Sequence, residues 1–135
     1  MSKIIVKSSK VPPPIGPYNQ AVMTDNLVNH DLVYTSGQIA LDPKTNEIIL
    51  GDVSDQARLV LTNLKNILEN VGSSLNYVVK ATMFLKSMND FAAVNKVYSE
   101  FFNSETAPAR STIEVVRLPK DALVEIEVVA MVPRI

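Results

Sequence analysis

Residues 108–127 read PARSTIEVVRLPKDALVEIE, two runs of period-two alternation around a turn sequence. Ser111 to Val116 and Leu123 to Val132 predict two strands joined through Leu118-Pro119-Lys120-Asp121, and a hairpin is the expected product. On the second strand Val124, Ile126, Val128, Ala130 and Val132 share an apolar face, which leaves Glu125 and Glu127 on the other face beside Leu123, Val129 and Met131. That second face is neither core nor ordinary solvent surface. Arg110 follows Pro108-Ala109 and precedes the first run, so a strand entrance is expected to hold its guanidinium near the glutamate face. An arginine fork suits a carboxylate ligand.

Outward from this stretch, Ile4 to Val6 predicts a short strand. Pro12-Pro13-Pro14 and Pro17 then interrupt the chain, because proline cannot donate to a sheet ladder. Tyr18 to Thr24 and Leu32 to Leu41 read as two strands with turn residues between them. Ala57, Val60, Leu61, Leu64, Ile67, Leu68 and Val71 repeat at helical spacing, with Asp52, Ser54 or Asp55 as start caps and Gly72 at the end. Tyr77 to Leu85 alternates as a strand. Ser87 and Asp90 open a second helix with the stripe Phe91, Val94, Tyr98 and Phe101. The order is β-β-β-α-β-α-β-β. Two amphipathic helices cover one sheet face, yet Leu32 to Leu41 and Tyr77 to Leu85 are apolar on both, so the open face is expected to meet another copy of the chain.

A chain of 135 residues, 47% hydrophobic and 20% charged, is expected to fold as one domain over 1–135. Its net charge of −1 gives no electrostatic case for nucleic acid. The absence of cysteine removes disulfides, thiolate metal sites and cysteine nucleophiles together. With one histidine, His30, in a turn sequence, a zinc cluster or histidine triad is excluded by count, so no metal is expected. The opening MSKIIVKSSK lacks an apolar signal core and there is no membrane-length apolar run, so the expected location is cytoplasmic.

Candidate site residues each have a structural alternative. Ser36 lies in Thr35-Ser36-Gly37-Gln38 without a GxSxG elbow, which favours small-residue packing or ligand hydrogen bonding over a nucleophile. Asn95 shares the inner side of the second helix with Phe91, Val94 and Tyr98, where its amide needs either a structural or a ligand partner. Tyr18 follows a rigid proline loop, and its hydroxyl is either held over a pocket or half-buried in packing. Glu125 and Glu127 are alternatively a solvated strand edge.

Ile15-Gly16-Pro17-Tyr18 with Gln20-Ala21, Thr35-Ser36-Gly37-Gln38, Asn89-Asp90-Phe91 with Val94-Asn95, and Pro108-Ala109-Arg110-Ser111 through Val124-Glu125-Ile126-Glu127 occur in order. Together they resemble the reactive intermediate deaminase family, also called Rid or YjgF and formerly L-PSP endoribonuclease. The resemblance implies a chorismate-mutase-like α+β fold, a mixed sheet backed by two helices, in a homotrimer with ligand clefts between subunits. It also implies hydrolysis of 2-imino acids such as 2-iminopropanoate and 2-iminobutanoate to 2-keto acids and ammonia, without a cofactor. Arg110 is then the carboxylate anchor and Glu125 the group that positions or deprotonates water. Tyr18, Ser36 and Asn95 shape the cleft, Gly37 allows close backbone approach, and Thr112 contributes mainly backbone groups. Thr112 stands where many deaminases of the family carry cysteine, and Asn46 replaces a frequent glycine while accepting the same turn conformation. The competing readings are an RNA-cleaving or translation-inhibiting protein and a non-catalytic small-acid-binding or chaperone-like protein using the same arginine.

Overall fold

The computed structural model describes residues 3–14, 20–24 and 30–134. Its elements are β1 (Lys3–Val6), β2 (Ala21–Thr24), β3 (His30–Thr35), α1 (Val53–Asn70), β4 (Val78–Leu85), α2 (Phe91–Phe101), β5 (Ala109–Glu114) and β6 (Val124–Pro133). This is the expected order, with adjusted boundaries. The helix starts and ends follow from local chemistry. Asp52 and Asp55 form a reciprocal capping box at the start of α1, the Asp55 amide donating to Asp52 Oδ1 at 2.9 Å and the Asp52 amide to Asp55 Oδ2 at 3.2 Å. At its end Gly72 takes φ +81°, and the Ser73 amide donates to the Leu68 carbonyl at 2.9 Å.

The six strands form one mixed sheet in the order β1-β2-β3-β6-β4-β5, antiparallel except for the parallel β4–β5 pair. The expected hairpin between the strands of residues 108–132 does not form, because β4 lies between β5 and β6. Two causes act together. A parallel neighbour needs a crossover connection, and α2 supplies one between β4 and β5. The ten-residue β6 buries alternate side chains and pairs on both edges, so it takes the central place while the more exposed β5 is left at the rim. Arg110 lies inside β5, opposite Ala81, rather than ahead of the strand.

The long strand expected over Leu32 to Leu41 ends at Thr35. From there the Ser36 amide donates to the Gln20 carbonyl at 2.7 Å, and Gln38 and Ile126 exchange backbone hydrogen bonds of 2.8 and 3.1 Å. The chain thereby passes from the β2–β3 ladder to the start of β6. Thr35 Oγ1 bridges the transition, accepting from the Val128 amide at 2.9 Å. His30, expected in a turn, is the half-buried first residue of β3, opposite Pro133. Asn46 adopts φ +59°, the left-handed turn conformation expected of it.

Both helices pack on the same side of the sheet. Leu61, Leu64, Ile67 and Leu68 of α1 and Val94 of α2 join Ala81, Met83, Leu85, Val124, Ile126 and Ala130 in the core, all at 0 or 1% exposure. Each such large aliphatic side chain contributes about 1.5–3 kcal/mol of burial. The opposite face carries Tyr34 and Val129 in register, with Phe84 set between Glu125 and Ile113. On it Ile5, Tyr34 and Ile113 are 40%, 42% and 45% exposed, which leaves an apolar surface no helix covers.

Candidate active site

The open face leads into a cavity of about 370 Å³ at the end of β6. Its apolar walls come from Pro12, Pro13, Ile39 and Pro119, and its polar lining includes Ser36, Gln38 and Glu125. The proline wall is fixed by the buried side chain of Gln20. Its Oε1 accepts from the Ser8 amide at 2.6 Å, and its Nε2 donates to the carbonyls of Ser8, Val11 and Pro12 at 3.1, 3.3 and 2.9 Å. Pro119 is held by a turn in which Lys120 and Asp121 take φ +55° and +56°, braced by Arg117 Nε on Asp121 Oδ1 at 2.6 Å.

Gly37 and Glu125 touch because the chain turns out of β3 at this point. A Cβ on Gly37 would lie 2.8 Å from Glu125 Cδ, so the missing side chain makes the space that the carboxyl group occupies. Burial pushes the Glu125 carboxyl above its ordinary pKa, and the neighbouring Glu127 charge adds to the rise. Such a group takes and returns a proton closer to neutrality than an exposed glutamate.

Arg110 has a different environment. Its Cζ lies 4.6 Å from the Tyr98 ring centroid and 5.7 Å from that of Phe91. Among the described residues no carboxylate lies within ion-pair distance of it. Asn95 is half-buried on α2 at helical spacing from Phe91 and Tyr98, and Thr112 follows two residues along β5, opposite Met83. Tyr98 is buried, stacks on Phe102 at 4.5 Å, and has a hydroxyl without a hydrogen-bond partner among the described residues. Burial raises the pKa of that hydroxyl, while the Arg110 charge lowers it.

The register separates the two groups. Arg110 pairs with Ala81 on the helix-covered face, whereas Glu125 pairs with Phe84 on the open face. They also stand two strands apart, about 10 Å across the sheet. The expectation that Arg110 enters its strand beside the glutamate face therefore fails within one chain. The structure brings Ser36, Gly37 and Glu125 together at the central strand β6, and places Arg110 and Thr112 on the edge strand β5, with Asn95 on α2. Tyr18 lies outside the described residues. Sequence reasoning missed Gln20 as the latch of the proline wall and Pro119 as a cavity wall. Phe91 and Tyr98, expected in the apolar stripe of the second helix, also seat Arg110, and an aromatic pair at helical spacing is the signal for it. Among the described residues, no cluster of three histidine, aspartate or glutamate side chains is placed to hold a metal ion, and no helix is long and apolar enough to cross a membrane.

A mixed sheet backed by two helices is the α+β architecture of the L-PSP fold. Residues 8–132 match the family described as Endoribonuclease L-PSP, and the chain belongs to that family, whose members also carry the names RutC and Rid. It is 49% identical over 130 residues to a RutC family protein of Pyrococcus abyssi, covering 96% of this chain and 98% of that protein. A 2-iminobutanoate/2-iminopropanoate deaminase of Dermatophagoides farinae is 44% identical over 130 residues, covering 96% and 97%. The crystal structure of Escherichia coli TdcF with bound serine superimposes with a TM-score of 0.82 at 44% identity, covering 97% of this chain and 98% of that one.

Proposed function

We propose that the protein hydrolyses reactive 2-imino acids, 2-iminopropanoate and 2-iminobutanoate among them, to 2-keto acids and ammonia without a cofactor. The active site forms between copies in a homotrimer, where Arg110, Asn95 and Thr112 of one subunit meet Ser36, Gly37 and Glu125 of the next, with Tyr18 at the cleft. The observation that carries this reading is the division of the two groups. A guanidinium without an ion-pair partner among the described residues and a half-buried carboxyl lie on opposite faces of one sheet, and the uncovered apolar face offers the means of joining them. Relatives named as deaminases at 44% and 42% identity support the reaction class.

The chemistry asks little of the protein. A protonated imine carbon is already electrophilic, so orientation and a placed water supply most of the acceleration. Arg110 grips the substrate carboxylate with two parallel hydrogen bonds. Glu125 takes a proton from water as its oxygen bonds to the imine carbon, and the C=N electron pair moves to nitrogen. The protonated Glu125 then gives its proton to the amine of the resulting carbinolamine. As the carbon–nitrogen bond breaks, the hydroxyl forms the ketone, and its proton leaves through Glu125 to ammonia, giving ammonium. A carboxyl of raised pKa suits both transfers.

The test is ammonia release from imino acid generated in situ, with light scattering on the same preparation. Accelerated release by a trimer, unaffected by chelators, is the expected result. The specific rival is a small-acid binder, since the relative TdcF is seen with serine bound. Binding of 2-oxobutanoate without ammonia release would establish that rival, and a stable monomer at micromolar concentration would remove the intersubunit site.

A further inference from the structure

We infer that Tyr98, assisted by Phe91, is a positioning residue that holds the Arg110 guanidinium oriented and uncommitted for a carboxylate. The inference rests on the reading of Arg110 as anchor. An arginine at the rim of a sheet has several rotatable bonds and would sample many directions without support. A carboxylate partner would fix it but would also neutralise the charge and occupy the fork. An aromatic face orients the guanidinium through the ring quadrupole while leaving all five N–H donors open. The observed geometry is of this kind, with Cζ 4.6 Å from the Tyr98 centroid and 5.7 Å from the Phe91 centroid.

The seat is itself rigid. Tyr98 is 8% exposed, stacks on Phe102 at 4.5 Å with the rings 28° apart, and lies on the α2 face that buries Val94 and Val97. Its hydroxyl is buried without a partner among the described residues. Removing that oxygen breaks no hydrogen bond among the described residues, so Tyr98→Phe separates the ring from the hydroxyl, and Tyr98→Leu removes the ring.

The experiment measures 2-oxobutanoate binding by calorimetry on the assembled protein, with steady-state kinetics and the ring-current shift of the Arg110 side-chain NMR signals. Tyr98→Leu is expected to weaken binding about three- to thirtyfold, from the strength of a cation–π contact, and to raise KM more than it lowers kcat. The Arg110 signals should lose their upfield shift. Tyr98→Phe is expected to rescue both readouts, because the quadrupole remains. If Tyr98→Leu does not fold, Phe91→Leu, at a half-buried position, should show the same pattern more weakly. Folded variants with wild-type affinity and unchanged Arg110 signals would overturn the inference. Wild-type protein that binds 2-oxobutanoate but releases no ammonia would sink the deaminase reading alone, and the binding series would still decide the role of Tyr98.

Discussion

Gln20 turns all of its amide capacity inward, whereas Arg110 meets only aromatic faces among the described residues and makes no polar contact. Gln20 ties four backbone groups of the segment from Ser8 to Pro12 into a wall. Arg110 rests on Phe91 and Tyr98 with its donors unclaimed. The difference separates two uses of a polar side chain, one buried and one half-buried. A satisfied amide gives shape, and its loss is paid in stability. A guanidinium uncommitted to any described carboxylate gives readiness, and its loss should appear in binding and turnover.

The sharpest way to break this comparison is Gln20→Leu. The substitution leaves the Ser8 amide and the carbonyls of Ser8 and Pro12 without their partner at buried positions. At about 1–3 kcal/mol for an orphaned buried group, partly relieved by water, a loss of about 2–4 kcal/mol is expected. Urea unfolding measures it. A wall that keeps its stability without Gln20 would show that the prolines are held by their own stiffness.

Arg110→Lys probes the other region and is expected to do the reverse. One ammonium reproduces neither the fork nor the guanidinium contact with the Tyr98 ring, so kcat/KM should fall by about ten- to several-hundredfold. Stability and the oligomeric state should stay close to wild type, because the guanidinium makes no ion pair with a described carboxylate. Near-normal kinetics in a folded Arg110→Lys protein would remove Arg110 as anchor and favour the non-catalytic reading.

How far these two regions were legible in the sequence follows from the range of the signals. Helix α1 was readable because its information is local: the apolar stripe from Ala57 to Leu68, a capping residue among Asp52, Ser54 and Asp55, and Gly72 all act within a few residues, whereas at α2 Ser87 caps the 3-10 turn ahead of the helix and Asp90 makes no side-chain cap bond. Strand alternation was equally local, and it correctly divided Glu125 and Glu127 from the core face of β6. Strand order was not. Nothing within Pro108 to Glu127 states that β4 will lie between its two strands, since that placement depends on the α2 crossover. Parity along one strand also leaves open how it aligns with another, so the opposite facing of Arg110 and Glu125 needed the register of β4 with both neighbours. The latch role of Gln20 has no local signal, because its four partners are backbone groups eight to twelve residues upstream with no side-chain signature.

The smallest expected effect concerns Glu125, which belongs to the cavity wall yet keeps a titrating group. Its folded pKa is raised above the ordinary 4.5, first by burial and then by Glu127, so the folded state binds the proton more tightly than the unfolded chain does. The slope of unfolding free energy with pH follows protons bound in the unfolded state minus those in the native state, and is negative here. Glu125 therefore subtracts stability as pH rises from about 4.5 through the raised value, and returns it on acidification. Glu125→Gln removes this contribution without removing volume or the polar tip. The difference in stability between wild type and variant, followed by urea unfolding across that window, should shift in favour of the variant as pH rises and then level off. Taking the difference cancels the opposite trend from Asp121 and Glu100, whose carboxyls are held below their ordinary range by Arg117 and Arg58. Because Glu125 remains partly open to solvent, the shift should be modest, while turnover falls and carboxylate binding persists. A flat difference with lost turnover would place the proton exchange of Glu125 in the assembled, ligand-bound site rather than in the single chain.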